Sequence, residues 1–369
     1  MKLTINPKEI YQSLKKIERV IPNKTSIQIF ENFLFNVHEN AMAVTGSDGE
    51  VMASIILPIV NSDGQFKFCV NAKKFSQAIG AIKDDTLEIT LDDKNTMKCK
   101  HKKGVFKLPY ENSTDYPMIA TDTDDFKKTQ VNSTDIKELI RNVSYATGDD
   151  ALRPMFNGIY FDFTDKGLVG VGTDTKVLVK NEFNIGDVSA MDSFIMPMKG
   201  AGIAQSFLDS TTDAMIDIKN NGNVGVLRLP KCWSIVFRQI NAKFPNYNAV
   251  IPPKNENEVH INRVDFLDSL TRALLFSPYQ SNTIKLRFSQ NKVELIAQDI
   301  DFNLSSTEEV TCDYTGEELE IGFNGNAMVA AINNLSTNEI TFNLNGSNKA
   351  TLMYPEEGNI LTLIMPMMI

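Results

Sequence analysis

The chain has 369 residues, of which 42% are hydrophobic, and a formal net charge of −9. This composition excludes a disordered chain, and the length exceeds what one hydrophobic core usually serves, so two or three domains are expected. No apolar run is long enough to span a membrane, and the first residues, which include Pro7, do not resemble a signal peptide. The four cysteines lie 30 or more positions apart, which argues against a zinc site or a disulfide framework and predicts a cytoplasmic location.

Six predicted helices recur along the chain at an even spacing. Each follows an apolar residue and then a residue suited to the start of a helix. In chain order these residues are Asn6, Asn71, Asn132, Pro197, Asn262 and Asn324, with steps of 65, 61, 65, 65 and 62. Asn caps free backbone N–H groups, and Pro has no N–H to leave unpaired. The first helix then places Ile10, Leu14 and Ile17 on one face.

Segments with a period of two lie between these helices and predict antiparallel strands. In chain order they cover residues 33–37, 86–91, 159–163, 214–218, 284–288 and 340–344. One helix with its strands spans about 60 residues, which is too few for a good core, so two such units pair into one domain. We therefore predict an α+β protein of three repeated domains, with two helices on antiparallel sheets in each. The predicted domains are residues 1–125, 126–253 and 254–369.

The first helix also predicts a basic face, because Lys8, Lys15, Lys16 and Arg19 lie opposite its apolar residues. For a single helix taken alone, a solvated surface is the favoured explanation of this pattern. The next three helices add further cations: Lys73, Lys74, Lys137, Arg141 and Lys199. Residues 253–369 contain seven basic and sixteen acidic side chains, so the basic face belongs to the first two domains. Such cations would contact phosphates without reading bases, in a salt-sensitive manner.

Motifs of catalysis are absent from the sequence. It contains neither a Walker-type phosphate loop nor a Gly-x-Gly-x-x-Gly motif after a strand. Cys99 and His101 could supply two metal ligands, but nothing near them completes a set. We therefore expect no catalytic residue, no metal and no cofactor.

At this point the residues resemble a known family, the bacterial sliding clamp or beta subunit of DNA polymerase III, over essentially the full length. The matching stretches are short, but their order and spacing coincide with the six-helix repeat. They are Phe-Asn-Gly at 156–158, Thr-Asp at 173–174, Pro-Met-Lys-Gly at 197–200, Phe-Pro-Asn-Tyr at 244–247, Val-Ile-Pro at 250–252, Gly-Phe-Asn at 322–324 and Met-Pro-Met at 365–367.

The resemblance implies the DNA clamp fold and a head-to-tail homodimer whose six domains form a ring around duplex DNA. Leu274, Leu275 and Phe276 are the candidate dimer contacts of the third domain. The DNA-contacting residues implied by position are Lys24, Lys199 and Arg153, and helix geometry adds Lys15, Lys16 and Arg141. The aromatic pair that often follows the basic residue in the family is Pro154-Met155 here.

The resemblance also implies an apolar cleft between the second and third domains that binds short peptides. Its expected residues are Phe156, Thr173, Leu178, Pro245, Val250, Asn324, Leu363, Ile364, Met365, Pro366 and Met367. The sequence departs from the family at three places. Thr175-Lys176-Val177 replaces the usual Gly-His-Arg, Ala327 replaces a tyrosine, and Met368 replaces the penultimate arginine. For the Met-rich end alone, an ordinary core strand is an equally good interpretation.

The implied partners are duplex DNA, the polymerase III catalytic subunit, an ATP-dependent clamp loader, and other polymerases and repair proteins that carry clamp-binding peptides. No membrane association is expected. Two alternatives stay open at this stage: an interaction scaffold of the same fold outside replication, and a hydrolase built on repeated sheets.

Overall fold

A computed structural model describes residues 1–121 and 123–369. Asp122, in the predicted linker, lies outside the described residues. The chain forms two compact units. Unit 1 contains Met1–Lys137 and Lys199–Gln239, and unit 2 contains Glu138–Met198 and Ile240–Ile369.

All six predicted helices are confirmed, and each begins one residue after its predicted opener. They are α1 (Pro7–Glu18), α2 (Ala72–Ala81), α3 (Ser133–Ser144), α4 (Met198–Leu208), α5 (Arg263–Leu274) and α6 (Gly325–Asn333). The openers act as expected. The Asn71 side chain accepts a hydrogen bond from the Lys74 backbone N–H at 3.0 Å, and Asn324 accepts one from Ala327 at 2.9 Å. Within the described residues, no helix is long and apolar enough to cross a membrane.

The strands of the described residues are all paired antiparallel, and the six predicted ones are confirmed to within a residue at either end or slightly extended. The strands are β1 (Lys2–Ile5), β2 (Asn32–Val37), β3 (Ala41–Ser47), β4 (Val51–Pro58), β5 (Asn61–Ser62), β6 (Phe66–Asn71), β7 (Leu87–Leu91), β8 (Thr96–His101), β9 (Gly104–Pro109), β10 (Lys127–Asn132), β11 (Gly158–Phe163), β12 (Leu168–Thr173), β13 (Val177–Phe183), β14 (Phe194–Pro197), β15 (Met215–Asn220), β16 (Val224–Leu229), β17 (Trp233–Arg238), β18 (Glu258–Asn262), β19 (Thr283–Ser289), β20 (Lys292–Asp299), β21 (Leu304–Asp313), β22 (Leu319–Asn324), β23 (Glu339–Asn343), β24 (Thr351–Pro355) and β25 (Ile360–Ile364).

These strands form three sheets. Unit 1 contains a five-stranded sheet, β5-β1-β7-β8-β9, and an eight-stranded sheet, β10-β15-β16-β17-β4-β3-β2-β6. Unit 2 contains one twelve-stranded sheet, β14-β11-β12-β13-β25-β24-β23-β18-β21-β20-β19-β22. Hydrogen bonds between β4 and β17, and between β13 and β25, join stretches that the sequence analysis places in different domains. The compact units therefore do not follow the predicted boundaries near 125 and 253, which stay a prediction.

The repeat includes the contact between a helix and a strand, which depends on a glycine in both units. In unit 1, a Cβ added to Gly46 of β3 would lie 3.2 Å from the Ile17 carbonyl oxygen at the end of α1. In unit 2, a Cβ added to Gly172 of β12 would lie 2.8 Å from the Val143 carbonyl oxygen of α3. Both glycines let a helix backbone approach a strand closely. Gly46 and Gly172 are 126 positions apart in the sequence, and so are their helix partners Ile17 and Val143.

We expect Gly172→Ala to lower the free energy of unfolding by about 1–3 kcal/mol, because the new methyl group meets a helix backbone that cannot move aside. Urea denaturation followed by circular dichroism would measure the change. Gly202→Ala is the matched control. A Cβ there meets nothing within 4 Å, and Ala in an exposed helix should stabilise the protein by about 0.5–1 kcal/mol. Equal stability of wild type and Gly172→Ala would contradict this account of the packing.

Candidate functional site

The candidate site lies where β13 pairs with β25 in unit 2. The register places Leu178 opposite Leu363 and Val177 opposite Ile364, while β12 places Thr173 opposite Leu178. All five side chains are buried, and Leu178 and Leu363 belong to a core cluster with Phe244. The pairing of two strands that are almost 200 residues apart in the chain therefore builds one apolar floor.

A cavity of about 320 Å³ opens above this floor, and we call it the apolar pocket. Its buried base and more exposed rim, which includes Val250 at 58% exposure, give it the concave, apolar form of a ligand site. Twelve residues line it: Phe156, Thr173, Thr175, Val177, Leu178, Phe244, Pro245, Asn246, Tyr247, Val250, Leu363 and Met365.

Packed aromatic rings support the lining of the apolar pocket. The ring of Phe244 stacks on Tyr160 with 4.6 Å between centroids, and Phe156 meets Phe244 edge-on at 6.1 Å. The Tyr247 hydroxyl donates a hydrogen bond to the Asp162 carboxylate at 2.8 Å. Because these contacts fix the rings, the pocket is formed before any ligand arrives.

A second cavity, of about 380 Å³, adjoins the first, and we call it the polar pocket. The two share Val177 and Met365, and together we call them the cleft. The lining of the polar pocket is Asp174, Lys176, Val177, Gln280, Ser281, Asn324, Ala327, Ile364, Met365, Pro366 and Met367. All eleven cleft residues expected from the resemblance thus line one of the two pockets or both. Ala327, where the family has a larger tyrosine, leaves room on the polar side.

The turn between β12 and β13 borders both pockets and is held under backbone strain. Thr175 has a φ of 80°, in the left-handed region that suits glycine and disfavours a β-branched residue. Side-chain hydrogen bonds compensate. The Thr173 hydroxyl donates to the Val177 carbonyl oxygen at 2.6 Å, and the Asp174 carboxylate accepts from the backbone N–H groups of Lys176 and Val177 at 2.8 and 2.7 Å.

Residues 365–369, which we call the tail, border the cleft through Met365, Pro366 and Met367. The Met365 N–H donates to the Lys176 carbonyl oxygen, and the Met367 N–H donates to the Gly322 carbonyl oxygen, each at 2.8 Å. Gly322 permits this approach, because a Cβ there would lie 2.3 Å from the Ile369 side chain. Both interpretations of the Met-rich end are therefore partly right: β25 is a buried strand up to Ile364, and the tail beyond it lines the cleft.

Cations of α1 and α4 lie together in unit 1, and each has a partner inside the protein. The Lys15 ammonium pairs with Glu18 at 2.8 Å. Lys16 donates to the Ser210 hydroxyl and lies 5.6 Å from the centre of the Phe207 ring, and burial lowers its pKa. Part of the predicted basic face is therefore engaged within the protein, and its contact with DNA stays a prediction.

Lys199 is the most strongly engaged of these cations. Its ammonium donates to the Asp48 carboxylate and, at 3.0 Å, to the Val20 carbonyl oxygen. Burial acts to raise the pKa of Asp48, but hydrogen bonds from Lys199 and from the Val51 and Glu50 N–H groups hold it below its usual value.

The other three predicted DNA contacts, Lys24, Arg141 and Arg153, are exposed. Lys24 is in unit 1. Arg141, in unit 2, donates to the Asn142 side chain at 3.3 Å. Arg153 pairs with Asp150 at 2.8 Å and lies 5.7 Å from the centre of the Phe156 ring, so it stands at the rim of the apolar pocket.

Three sequence-family profiles match the chain in order. The N-terminal domain of the DNA polymerase III beta subunit matches residues 1–120, the central domain residues 130–246, and the C-terminal domain residues 248–368. The chain belongs to the DNA polymerase III beta subunit family. Its function is that of a DNA sliding clamp, which serves the processivity of a polymerase.

Relatives and solved structures agree with this family membership. The beta sliding clamp of Haemophilus influenzae is 24% identical to this chain over 371 residues. The aligned region covers 100% of each of the two chains. A sliding clamp from Pseudomonas aeruginosa bound to griselimycin has a TM-score of 0.95 at 21% identity, and one from Bartonella birtlesii bound to griselimycin has 0.94 at 22%. Both structures are covered to 100%, as is this chain. The predicted clamp fold is confirmed.

Sequence reasoning on this beta subunit missed several lining residues. Phe244, Asn246 and Tyr247 lie within the Phe-Pro-Asn-Tyr stretch that supported the resemblance. The aromatic rings of Phe244 and Tyr247 were a usable signal for an apolar site. Thr175 and Val177 carried no such signal, because only the turn after β12 brings them to the cleft.

The dimer contacts predicted for this family member lie at the end of α5. Leu275 and Phe276 are exposed, at 75% and 37%. Leu274 is partly buried and packs beside Gly325, at the start of α6. Two of the three residues are therefore available to a second copy.

We expect Lys199→Gln to destabilise the clamp by about 1 kcal/mol at neutral pH, since the ion pair is only partly shielded from water. A carboxyl whose pKa is lower in the folded than in the unfolded state stabilises the fold above its unfolded pKa, and loses that contribution as pH falls through its folded pKa. Without the ammonium, burial of Asp48 is less opposed, so acid unfolding should begin at a higher pH. Circular dichroism during acid titration measures this; Lys199→Arg should behave more like wild type, and an unchanged acid midpoint in Lys199→Gln would reject the coupling.

Proposed function

We propose that this clamp closes as a head-to-tail homodimer of six domains around duplex DNA and tethers partner proteins there through the cleft, without catalysis of its own. The observation that carries the proposal is the meeting of all eleven expected cleft residues at the β13–β25 junction. The proposed domains are those predicted from the sequence, residues 1–125, 126–253 and 254–369.

The cleft suits an extended peptide with different chemistry at its two ends. Apolar anchors of the peptide would enter the apolar pocket, against Leu178 and Leu363, where burial of apolar area provides most of the affinity. Its polar residues would reach Asn324 and the exposed Lys176 in the polar pocket. Met365 lies between the two pockets, and the flexible thioether of methionine adapts to partners of different shape.

Ring closure would use two free strand edges of each protomer. In the described residues, β9 is the last strand of its sheet and pairs with β8 alone. Residues 304–310 of β21 pair with β20, whereas β18 joins β21 only at Cys312 and Asp313. An unpaired edge is a template for another chain. We propose that β9 of one protomer and β21 of its partner form a continuous sheet, supported by Leu274, Leu275 and Phe276.

Within the ring, cations would centre the DNA without holding it tightly. Lys15, Lys16, Lys24, Arg141 and Lys199 are the proposed phosphate contacts. Because Lys15 and Lys199 already pair with carboxylates, a phosphate must compete for them, which keeps each contact weak and salt-sensitive. The net charge of −9 limits sticking further. For Arg153, its place beside Phe156 supports a contact with bound peptide as well as with DNA.

The proposed partners are duplex DNA, the polymerase III catalytic subunit, an ATP-dependent clamp loader, and other polymerases and repair proteins with clamp-binding peptides. The proposed location is the cytoplasm, in agreement with four unpaired cysteines. Since two clamps of the same fold were crystallised with griselimycin, we propose that this chain binds that ligand too.

Deleting residues 365–369 should abolish binding of a fluorescent peptide taken from the polymerase catalytic subunit, because the deletion removes a wall of both pockets. Fluorescence anisotropy would measure the affinity, and size-exclusion chromatography with light scattering should still show a dimer of about twice 41.2 kDa. Met365→Ala should weaken binding by about five- to tenfold, as loss of a buried anchor does.

Met368→Ala is the matched control, since Met368 is fully exposed and lines neither pocket. It should bind the peptide as wild type does. Unchanged affinity in the deletion variant would place the peptide site elsewhere.

Closure around DNA predicts that the clamp, once loaded, stays on a circular duplex through a high-salt wash and leaves when the circle is cut. Gel filtration of the DNA, before and after digestion at one site, would show this. Leu275→Glu with Phe276→Glu should yield monomers that are not retained on either form, because two charges cannot be buried at the interface.

Leu152→Glu is the control for that pair, because Leu152 is likewise exposed in unit 2 but lies outside the proposed interface. It should remain dimeric and be retained. Equal retention of wild type on circular and cut DNA would reject topological binding.

A further inference from the structure

The outward face of the eight-stranded sheet carries an excess of positive charge. Along β15, Ile216 and Ile218 are fully buried, so the alternate residues point away from the core. Following the register across β10, β15, β16 and β17, the charged residues of this outward face are Lys128, Asp217, Lys219, Arg228 and Arg238. These strands thus carry four cations and one carboxylate on this face, and Arg238 also lies 3.9 Å from the Glu50 carboxylate.

Two of these cations lie against each other at a cost in stability. Lys128 and Lys219 are directly opposite in the β10–β15 pair, an arrangement of like charges that destabilises a sheet. The neighbouring Asp217 is opposite Arg228, but its carboxylate accepts a hydrogen bond from Gln130 at 2.7 Å. Such uncompensated charge is expected where an anion binds.

A cavity of about 180 Å³ opens beside these cations, and we call it the basic pocket. Three of its lining residues are cations and none of the described ones is acidic. Its lining is Ala43, Ser54, Ile56, Thr121, Lys219, Val226, Arg228, Leu229, Lys231, Cys232, Trp233, Ser234 and Val236.

The base of the basic pocket is apolar. Val226 and Val236 are buried there in one core cluster, and Ile56 remains 46% exposed at its side. The Ser54 hydroxyl is already hydrogen-bonded to that of Thr45 at 2.7 Å. An apolar base under a cationic rim fits an apolar side chain that is flanked by carboxylates.

We propose that the basic pocket binds an acidic peptide segment of a partner protein, with one apolar side chain against Val226, Val236 and Ile56. Its carboxylates would pair with Lys219, Arg228 and Lys231. An acidic peptide supplies both kinds of group, whereas a nucleic-acid backbone supplies phosphate but no aliphatic side chain for the base. The basic pocket lies wholly in unit 1 and shares no residue with the cleft, so this interaction is additional to the proposed function.

Cys232 provides a reporter within the native chain. Its side chain is exposed and lines the basic pocket, whereas the other three cysteines are buried. Burial raises the pKa of Cys69 and Cys99 to about 12 and that of Cys312 to about 11, which keeps them protonated and unreactive. Alkylation by neutral iodoacetamide should therefore modify Cys232 first, and Cys232→Ser should remove the fast reaction.

The test measures the alkylation rate of the full chain at low salt, by mass spectrometry, while the peptide Glu-Asp-Glu-Leu-Asp-Glu is titrated in. We expect saturable protection of Cys232, and none from a peptide with Lys in place of each acid. Arg228→Gln with Lys231→Gln should weaken the apparent affinity by about fivefold or more, because two charge-assisted contacts are lost. Lys73→Gln with Lys74→Gln, which removes the same charge from α2, should leave it unchanged.

Three outcomes would overturn the proposal. They are equal weakening by the α2 control, protection by a single-stranded oligonucleotide but not by the peptide, and loss of protection when residues 365–369 are deleted. Protection that survives this deletion supports the basic pocket even if peptide binding at the cleft fails its own test.

Discussion

The pairing of β13 with β25 is the interaction on which the site depends. It joins a strand of the middle of the sequence to one near residue 360, and it sets Leu178 against Leu363. Neither strand alone has an apolar cavity above it, because each supplies only half of the floor. Any change that shifted the register by one residue would turn these leucines to the opposite face and remove the cleft. The continuity of the sheet in unit 2 is thus what forms the cleft.

At the proposed DNA contacts, a phosphate would have to compete with protein groups that already pair with the cations. Four of the six cations expected to meet DNA are held by Glu18, Asp48, Asp150 or a hydroxyl group. At the proposed DNA contacts, these pairings would lower the gain in free energy from each phosphate. A sliding clamp would benefit from such weak, exchangeable contacts, because strong ones would fix it in place on DNA. The outward face of the eight-stranded sheet differs, since two cations, Lys128 and Lys219, are directly opposite each other there.

The local structure could be predicted from the sequence to a large extent, whereas the long-range pairings could not. Asn6, Asn71, Asn262 and Asn324 mark helix starts because capping acts within three residues. The β4–β17 and β13–β25 pairs have no comparable sequence signal. Strands pair through backbone N–H and C=O groups, which are the same in every possible partner strand. For that reason the compact units differ from the domains drawn from the repeat.

The residues of the candidate site could be predicted only from the resemblance to the family. Short motifs of the family indicated the cleft residues, but the position of Arg153 against Phe156 and the engagement of Lys199 by Asp48 depend on side-chain packing. The left-handed turn at Thr175 was likewise hidden. A threonine there gives no sequence signal for a conformation that glycine usually adopts.

The tail is attached by its main chain: the amides of Met365 and Met367 donate to carbonyl oxygens on two different strands or turns. Its path is consequently independent of which side chains it displays. Substitution of the lining side chains Met365 and Met367 would therefore change the surface presented to a ligand while the course of the tail stays constant. Gly322 is the exception among the residues beside the tail. A Cβ at this position would lie 2.3 Å from the Ile369 side chain, so the tail could not keep its present path.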